Sequence, residues 1–134
     1  MLKQNELNTN EKYQLIEITN QVKEVITQSN VTNGLCVIFV PHNDAGVVIN
    51  SVDDPLIQED VIDDLTRMFP SRDNFQFEGS LTEGSAHSKS SIVGPSLDVI
   101  IENGELVLTK SQGIFFSEFN GPQQRQFYVK AFGN

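Results

Sequence analysis

The amino-acid sequence predicts an α+β fold: a largely antiparallel β-sheet with two or three helices packed on it. Three observations carry that expectation. Short apolar runs with strand character fill most of the C-terminal half, as in "SLDVII", "GIFFSEF" and "QFYVKAF". One longer segment, "DDPLIQEDVIDDLTRMF", repeats its apolar residues at helical spacing. Helical and strand segments follow one another in no regular alternation, so a parallel sheet of repeated βαβ units is not the expectation.

The elements follow in chain order. Residues 1–11 are polar and read as a flexible arm. "KYQLIEI" (12–18) is a first strand. From Thr19, a good N-cap, a helix places Val22, Val25 and Ile26 on one face until "NVTNG" ends it. "GLCVIFVP" is a dense apolar strand and "AGVVIN" (45–50) a second, joined by "HND" as a hairpin or a bent strand. Asp54 caps the next helix and Pro55 suits its first position, where a missing N–H costs nothing. Its residues Ile57, Val61, Leu65 and Met68 form one apolar stripe, expected to be buried. After a polar loop from Pro70 to Gly84, "SAHSKSSIVG" reads as a short helix capped by Ser85. In "SLDVII", Leu97, Val99 and Ile101 share a face, and Asn103-Gly104 marks a hairpin. The whole, 1–134, is expected to be one domain.

Composition narrows the function. Net charge is −9 and the nine Lys and Arg residues are scattered, so the basic footprint that nucleic acid requires is missing. No apolar run reaches the length of a membrane span, and the polar N-terminus has no apolar signal core, so no membrane partner is expected. Cys36 is the single cysteine, set in a buried-looking strand, which suits a reducing cytoplasmic location.

Nucleophile and phosphate-loop motifs are missing too: there is no G-x-S-x-G, no G-x-x-x-x-G-K-[ST], and no G-x-G-x-x-G after a strand. The carboxylates of 53–64 sit mostly on the polar face of a helix and read as solvated. "GSAHSKSS" (84–91) is more suggestive. A helix start at Ser85 with Lys89 one turn in suits an anionic oxygen, although the N-cap preference alone explains Ser85. His42, at a strand end, and His87, at that helix start, are the only histidines, and no local spacing links them.

Four blocks in order, "GLCVIFVPHNDAGVVIN", "DPLIQEDV", "AHSKSSIVG" and "NGELVLTKSQGIFFSEFNGPQQRQFYVKAFG", resemble the YjbQ family over roughly residues 34–133. The resemblance implies a small α+β protein, a homotrimer, and a polar pocket. The family's P-H falls on Pro41-His42, its I-N on Ile49-Asn50, its D-P on Asp54-Pro55, and its A-H-x-K-x-S on Ala86-His87, Lys89 and Ser91. Its Q-G and E-F-D-G-P fall on Gln112-Gly113 and Glu118 to Pro122. Several members are described as secondary thiamine-phosphate synthases with a weak side activity. The chain departs from the pattern at Asn43-Asp44, Ser51, Ser111 and Gln123, and reads Phe75-Gln76-Phe77 where many members have a further histidine. Asp44 or Glu78 is the available substitute ligand, and Arg125 the nearby arginine.

Two functional expectations result. In the first, a trimeric enzyme handles a small phosphorylated substrate: His42 and His87 act as acid and base or bind a divalent metal (Zn, Mn or Mg), while Asn50, Asp54, Lys89 and Ser91 hold the substrate. In the second, a degenerate trimer keeps a ligand- or metal-binding pocket without the chemistry.

Overall fold

A computed structural model describes residues 2–79 and 81–134, and the side chains of 81–83 lie outside the description. The chain runs β1(Leu2–Asn8), β2(Gln14–Glu17), α1(Thr19–Ser29), β3(Gly34–Phe39), β4(Ala45–Ser51), α2(Pro55–Met68), α3(Leu81–Val93), β5(Ser96–Glu102), β6(Glu105–Leu106), β7(Gln112–Glu118), β8(Gln124–Gly133). A five-stranded sheet has the order β1-β8-β3-β5-β6 and a three-stranded sheet the order β2-β7-β4, with every pairing antiparallel. The fold class is therefore the α+β expected from the sequence.

The core forms where the two sheets face each other with α1 against them. Cys36, Ile38, Val99, Ile101, Phe127 and Val129 come from the larger sheet, Val47, Ile114 and Phe116 from the smaller, and Val22, Val25 and Ile26 from α1. Strand alternation is what sends these residues to one side. The other face of the smaller sheet is covered by α3: a Cβ built on Gly46 would stand 2.6 Å from the Gly94 carbonyl oxygen and 2.9 Å from Val93. Ser90 ties the same helix down by donating its hydroxyl to the Ala45 carbonyl at 2.6 Å. At the hairpin, Asn103 and Gly104 both take positive φ, 54° and 79°, as a two-residue turn of this hand requires.

Several expectations are corrected. Residues 2–8 are not a flexible arm: β1 pairs with β8 from Leu2↔Lys130 to Asn8↔Gln124, its backbone completing an edge that its polar side chains do not advertise. Met1 of that arm and Ser80 of the 70–84 loop lie outside the described residues. β3 and β4 do not form a hairpin; the chain leaves one sheet after Phe39 and enters the other at Ala45. Asp54 does cap α2, accepting the Leu56 N–H at 2.9 Å. Yet α2 buries no residue fully, and Met68 is 64% exposed, because this helix lies at the margin of the core. Finally, α3 starts at Leu81 rather than Ser85, so Ser85 is an interior helical residue and no cap.

Candidate functional site

The start of β4, the end of β7 and the start of β8 bring one charged group together. Arg125 lies on the core side of β8 and is 4% exposed, and Glu118 ends β7 fully buried. Arg125 donates through Nε to Glu118 Oε1 at 2.8 Å and through Nη1 to Asp44 Oδ1 at 2.8 Å. Thr9 Oγ1 donates to Glu118 Oε1 (2.8 Å), and the Asn120 backbone N–H to Oε2 (3.0 Å). Asn120 also donates its side-chain amide to Asp44 at 3.2 Å. Burial pushes the Asp44 carboxyl up, but the hydrogen bonds from Arg125 and Asn120 outweigh it and hold it below its ordinary value.

His42 sits against this group with both ring nitrogens facing donors. The Gln126 backbone N–H points at Nε2 (3.2 Å), and Arg125 Nη1 lies 3.4 Å from Nδ1. A neutral imidazole has one acceptor nitrogen, and protonating the other sets its N–H against a guanidinium. Burial, with Arg125 next, accordingly lowers the His42 pKa. The ring edge packs on Phe116 at 6.5 Å between centroids.

His87 occupies different surroundings. It lies in mid-helix on α3, its ring tilted over Phe77 at 5.6 Å, on an open groove of about 360 Å³ lined by Phe69, His87, Ser88, Ser91 and Ile92. Ser91 is exposed and donates to the His87 carbonyl at 2.9 Å. Lys89, on the same helix, turns inward to 1% exposure. Its ammonium donates to the Phe69 carbonyl (2.9 Å) and to Ser85 Oγ, and lies 4.8 Å from the centre of the Tyr13 ring. Burial, then Lys12, lowers its pKa. With no helix start at Ser85 and Lys89 committed inside, the anion cradle read from "GSAHSKSS" is not formed. Asn50 accepts the Ser51 N–H within β4, and Asp54 is spent on its cap.

The arrangement at His42 does not suit a metal, since Nε2 already accepts a backbone N–H. Among the described residues no group of three or more His, Cys, Asp and Glu side chains is placed to hold one. No helix of the described residues is long and apolar enough to cross a membrane. Sequence reasoning had Glu118 as a motif position and Arg125 only as a neighbour; the signal it lacked was that both point into the core.

The fold and these clusters define an α+β protein with two antiparallel sheets joined by a buried charge network. The chain belongs to the YjbQ-like UPF0047 family, whose model matches residues 3–134. It is 42% identical over 135 residues to a UPF0047 protein of Methanocaldococcus jannaschii, covering 100% of this chain and 96% of that one. It is 37% identical to the UPF0047 protein YugU of Bacillus subtilis, covering 99% and 100%. The crystal structure of an uncharacterised YjbQ/UPF0047 family protein from Clostridium acetobutylicum superposes with a TM-score of 0.90 at 39% identity, covering 97% of this chain and 99% of that one. A structure of unknown function from Sulfolobus solfataricus gives 0.94 at 25% identity, covering 100% and 97%.

Proposed function

We propose that this chain is a homotrimeric, cytoplasmic binding protein that takes a small phosphorylated molecule without turning it over. One observation carries the reading against an enzyme: both nitrogens of His42 are met by protein donors, which leaves it no lone pair for a substrate proton or a metal. The ligand rests in the groove of His87, where the ring and the Ser88 and Ser91 hydroxyls are the polar groups. Lys89 supports the groove from beneath and does not touch the ligand.

The homotrimer is supported by the outer face of the five-stranded sheet, which no helix covers. Register builds its rows: Phe132, Leu35 and Ile100 in one, Leu2, Lys130, Val37 and Asp98 in the next, Gln4, Tyr128, Phe39 and Ser96 in a third. Leu2 (59%), Ile100 (57%), Phe132 (48%) and Phe39 (43%) are strongly exposed in one chain. Large apolar side chains exposed together on one uncovered face support a contact surface there.

The test is calorimetric titration with thiamine phosphate, beside an assay of diphosphate release from an aminopyrimidine diphosphate and a thiazole phosphate. Binding that His87→Ala abolishes, with no diphosphate released by the wild type, is the expected result. Diphosphate release by the wild type would restore the thiamine-phosphate synthase reading, with His42 freed by rearrangement. No binding by the wild type would remove the ligand from the proposal.

A further inference from the structure

A cavity of about 550 Å³ opens on the other side of the small sheet, between α1, the end of β4 and the segment 104–112. Its floor is apolar: Ile26 is 2% exposed and Leu106 9%, with Leu108 packed beside them on the core. Lys23 on α1 and Lys110 on the facing segment supply the cations of its wall. Neither lysine forms an ion pair among the described residues. Gln112, also in the lining, fixes its carbonyl oxygen on the Thr109 N–H at 2.9 Å, which leaves its amide nitrogens as donors.

The acidic members of the wall are differently placed. Glu17 accepts the Thr19 hydroxyl at 2.8 Å, and that hydroxyl oxygen in turn accepts the Ile114 N–H at 2.9 Å. Glu17 is also folded onto the backbone at Gly113: a Cβ there would stand 2.9 Å from Glu17 Oε2 and 2.5 Å from Val52. Glycine thus lets two wall residues settle on β7 and keeps the space above open. Glu105 is exposed at the hairpin, so the wall carries two carboxylates and two lysines, the lysines standing on α1 and on the 109–112 turn. A volume of this size with an apolar floor and few polar groups is the form that small-molecule sites take. On a chain of net charge −9, a cavity wall where two lysines without ion pairs balance the two carboxylates is locally less acidic than the rest of the surface, and the lysines are its available partners for an anion.

We infer that this cavity is a second binding site, separate from the His87 groove, for a small organic anion: an apolar body on Ile26, Leu106 and Leu108, and a phosphate or carboxylate between Lys23 and Lys110. The inference does not depend on what the groove binds.

The experiment uses phenyl phosphate as the probe and calorimetric titration of the full chain, with phenol and benzoate beside it. The expected result is one phenyl phosphate per chain, weakened at least tenfold in the double variant Lys23→Gln/Lys110→Gln and unchanged in His87→Ala. Both lysines are exposed, so the double variant keeps its fold, which circular dichroism checks. Benzoate binding at the same lysines assigns the site to organic anions in general, and benzoate failing where phenyl phosphate binds narrows it to phosphate. Phenol binding as tightly as phenyl phosphate would overturn the anion. Binding indifferent to the lysine pair, binding lost in His87→Ala, or no binding at all would overturn the site.

Discussion

Arg125 and Glu118 join the two sheets: the guanidinium of β8 in the larger sheet lies on the carboxylate that ends β7 in the smaller, Nε 2.8 Å from Oε1. Both are buried, and Asp44 shares the same guanidinium. Removing the arginine strands the buried Glu118 carboxylate and takes its ion-pair partner from the partly exposed Asp44. Arg125→Met is expected to destabilise the fold by about 3–5 kcal/mol, the cost of breaking a buried pair from one side. Arg125→Met combined with Glu118→Gln is expected to recover part of that loss. Urea denaturation of both variants measures it, and a double variant no better than the single would mean that Glu118 is not the charge left stranded.

The same group sets an acid limit. His42 has a folded pKa below its ordinary 6.5, because burial and Arg125 disfavour the imidazolium. Between those two values the unfolded chain binds more protons than the native one, so stability rises with pH there. The contribution is complete above about 6.5 and is lost as pH falls through the folded value. Asp44 behaves the same way lower down, its contribution being lost as pH falls below its ordinary 3.8. His42→Gln is therefore expected to flatten the fall in stability between about pH 7 and pH 5. Denaturation midpoints across that range, with His87→Gln as control, decide it: a slope unchanged in His42→Gln assigns the titration elsewhere.

Lys89 tests whether the lysine of "AHSK" is structural. Its three donors are spent on the Phe69 carbonyl, Ser85 Oγ and the Tyr13 ring, and Ser85 itself donates to the Phe69 carbonyl at 2.6 Å. Lys89→Met removes a buried charge while Phe69 keeps one donor. Replacing a buried ion by an apolar chain of similar volume is often neutral or stabilising, so a change within about 1 kcal/mol is expected. Thiamine phosphate binding should be unaffected. A tenfold loss of binding in a folded Lys89→Met would make Lys89 a ligand contact.

Gly46 is where α3 comes closest to the smaller sheet. A methyl group there would stand 2.6 Å from the Gly94 carbonyl oxygen, which accepts the Val47 N–H at 3.1 Å. Gly46→Ala must push the end of α3 outward, at an expected cost of about 1–3 kcal/mol, as for other overpacked sites. Thermal unfolding reads this directly, and a midpoint equal to the wild type's would mean that α3 moves aside freely.

These sites mark how far the sequence could be read. The stripe of Val22, Val25 and Ile26, the cap at Asp54, the alternation through Val99 and Ile101, and the turn at Asn103-Gly104 are local patterns, and each is legible within a dozen residues. β1 was not, because "LKQNELN" owes its strand to backbone pairing with β8, more than a hundred residues away. Ser85 passed for a cap because the helix starts four residues earlier, in a polar stretch where periodicity gives no signal. The partnership of Arg125 with Asp44 and His42 is set by topology, and no spacing along the chain encodes it.

The uncovered face of the larger sheet gives the last prediction. Ile100 and Phe132 both pair with Leu35, so they flank it in one row, and the Val107 N–H, bonded to the Ile100 carbonyl at 2.8 Å, extends the row with a residue 55% exposed. In the next row Lys130 and Asp98 flank Val37, so the face carries both signs within an apolar field. If copies of the chain meet here, charge placed in the apolar row has to be buried unpaired at the contact, where it costs several kcal/mol. In a separate chain the same positions are in water and the change costs little. Ile100→Glu/Phe132→Glu is therefore expected to sediment as one chain with an unchanged circular dichroism spectrum, while the wild type sediments as three. A variant that still sediments with the wild type would place the trimer contact on another surface, with the exposed Leu56 and Met68 of α2 the next to test.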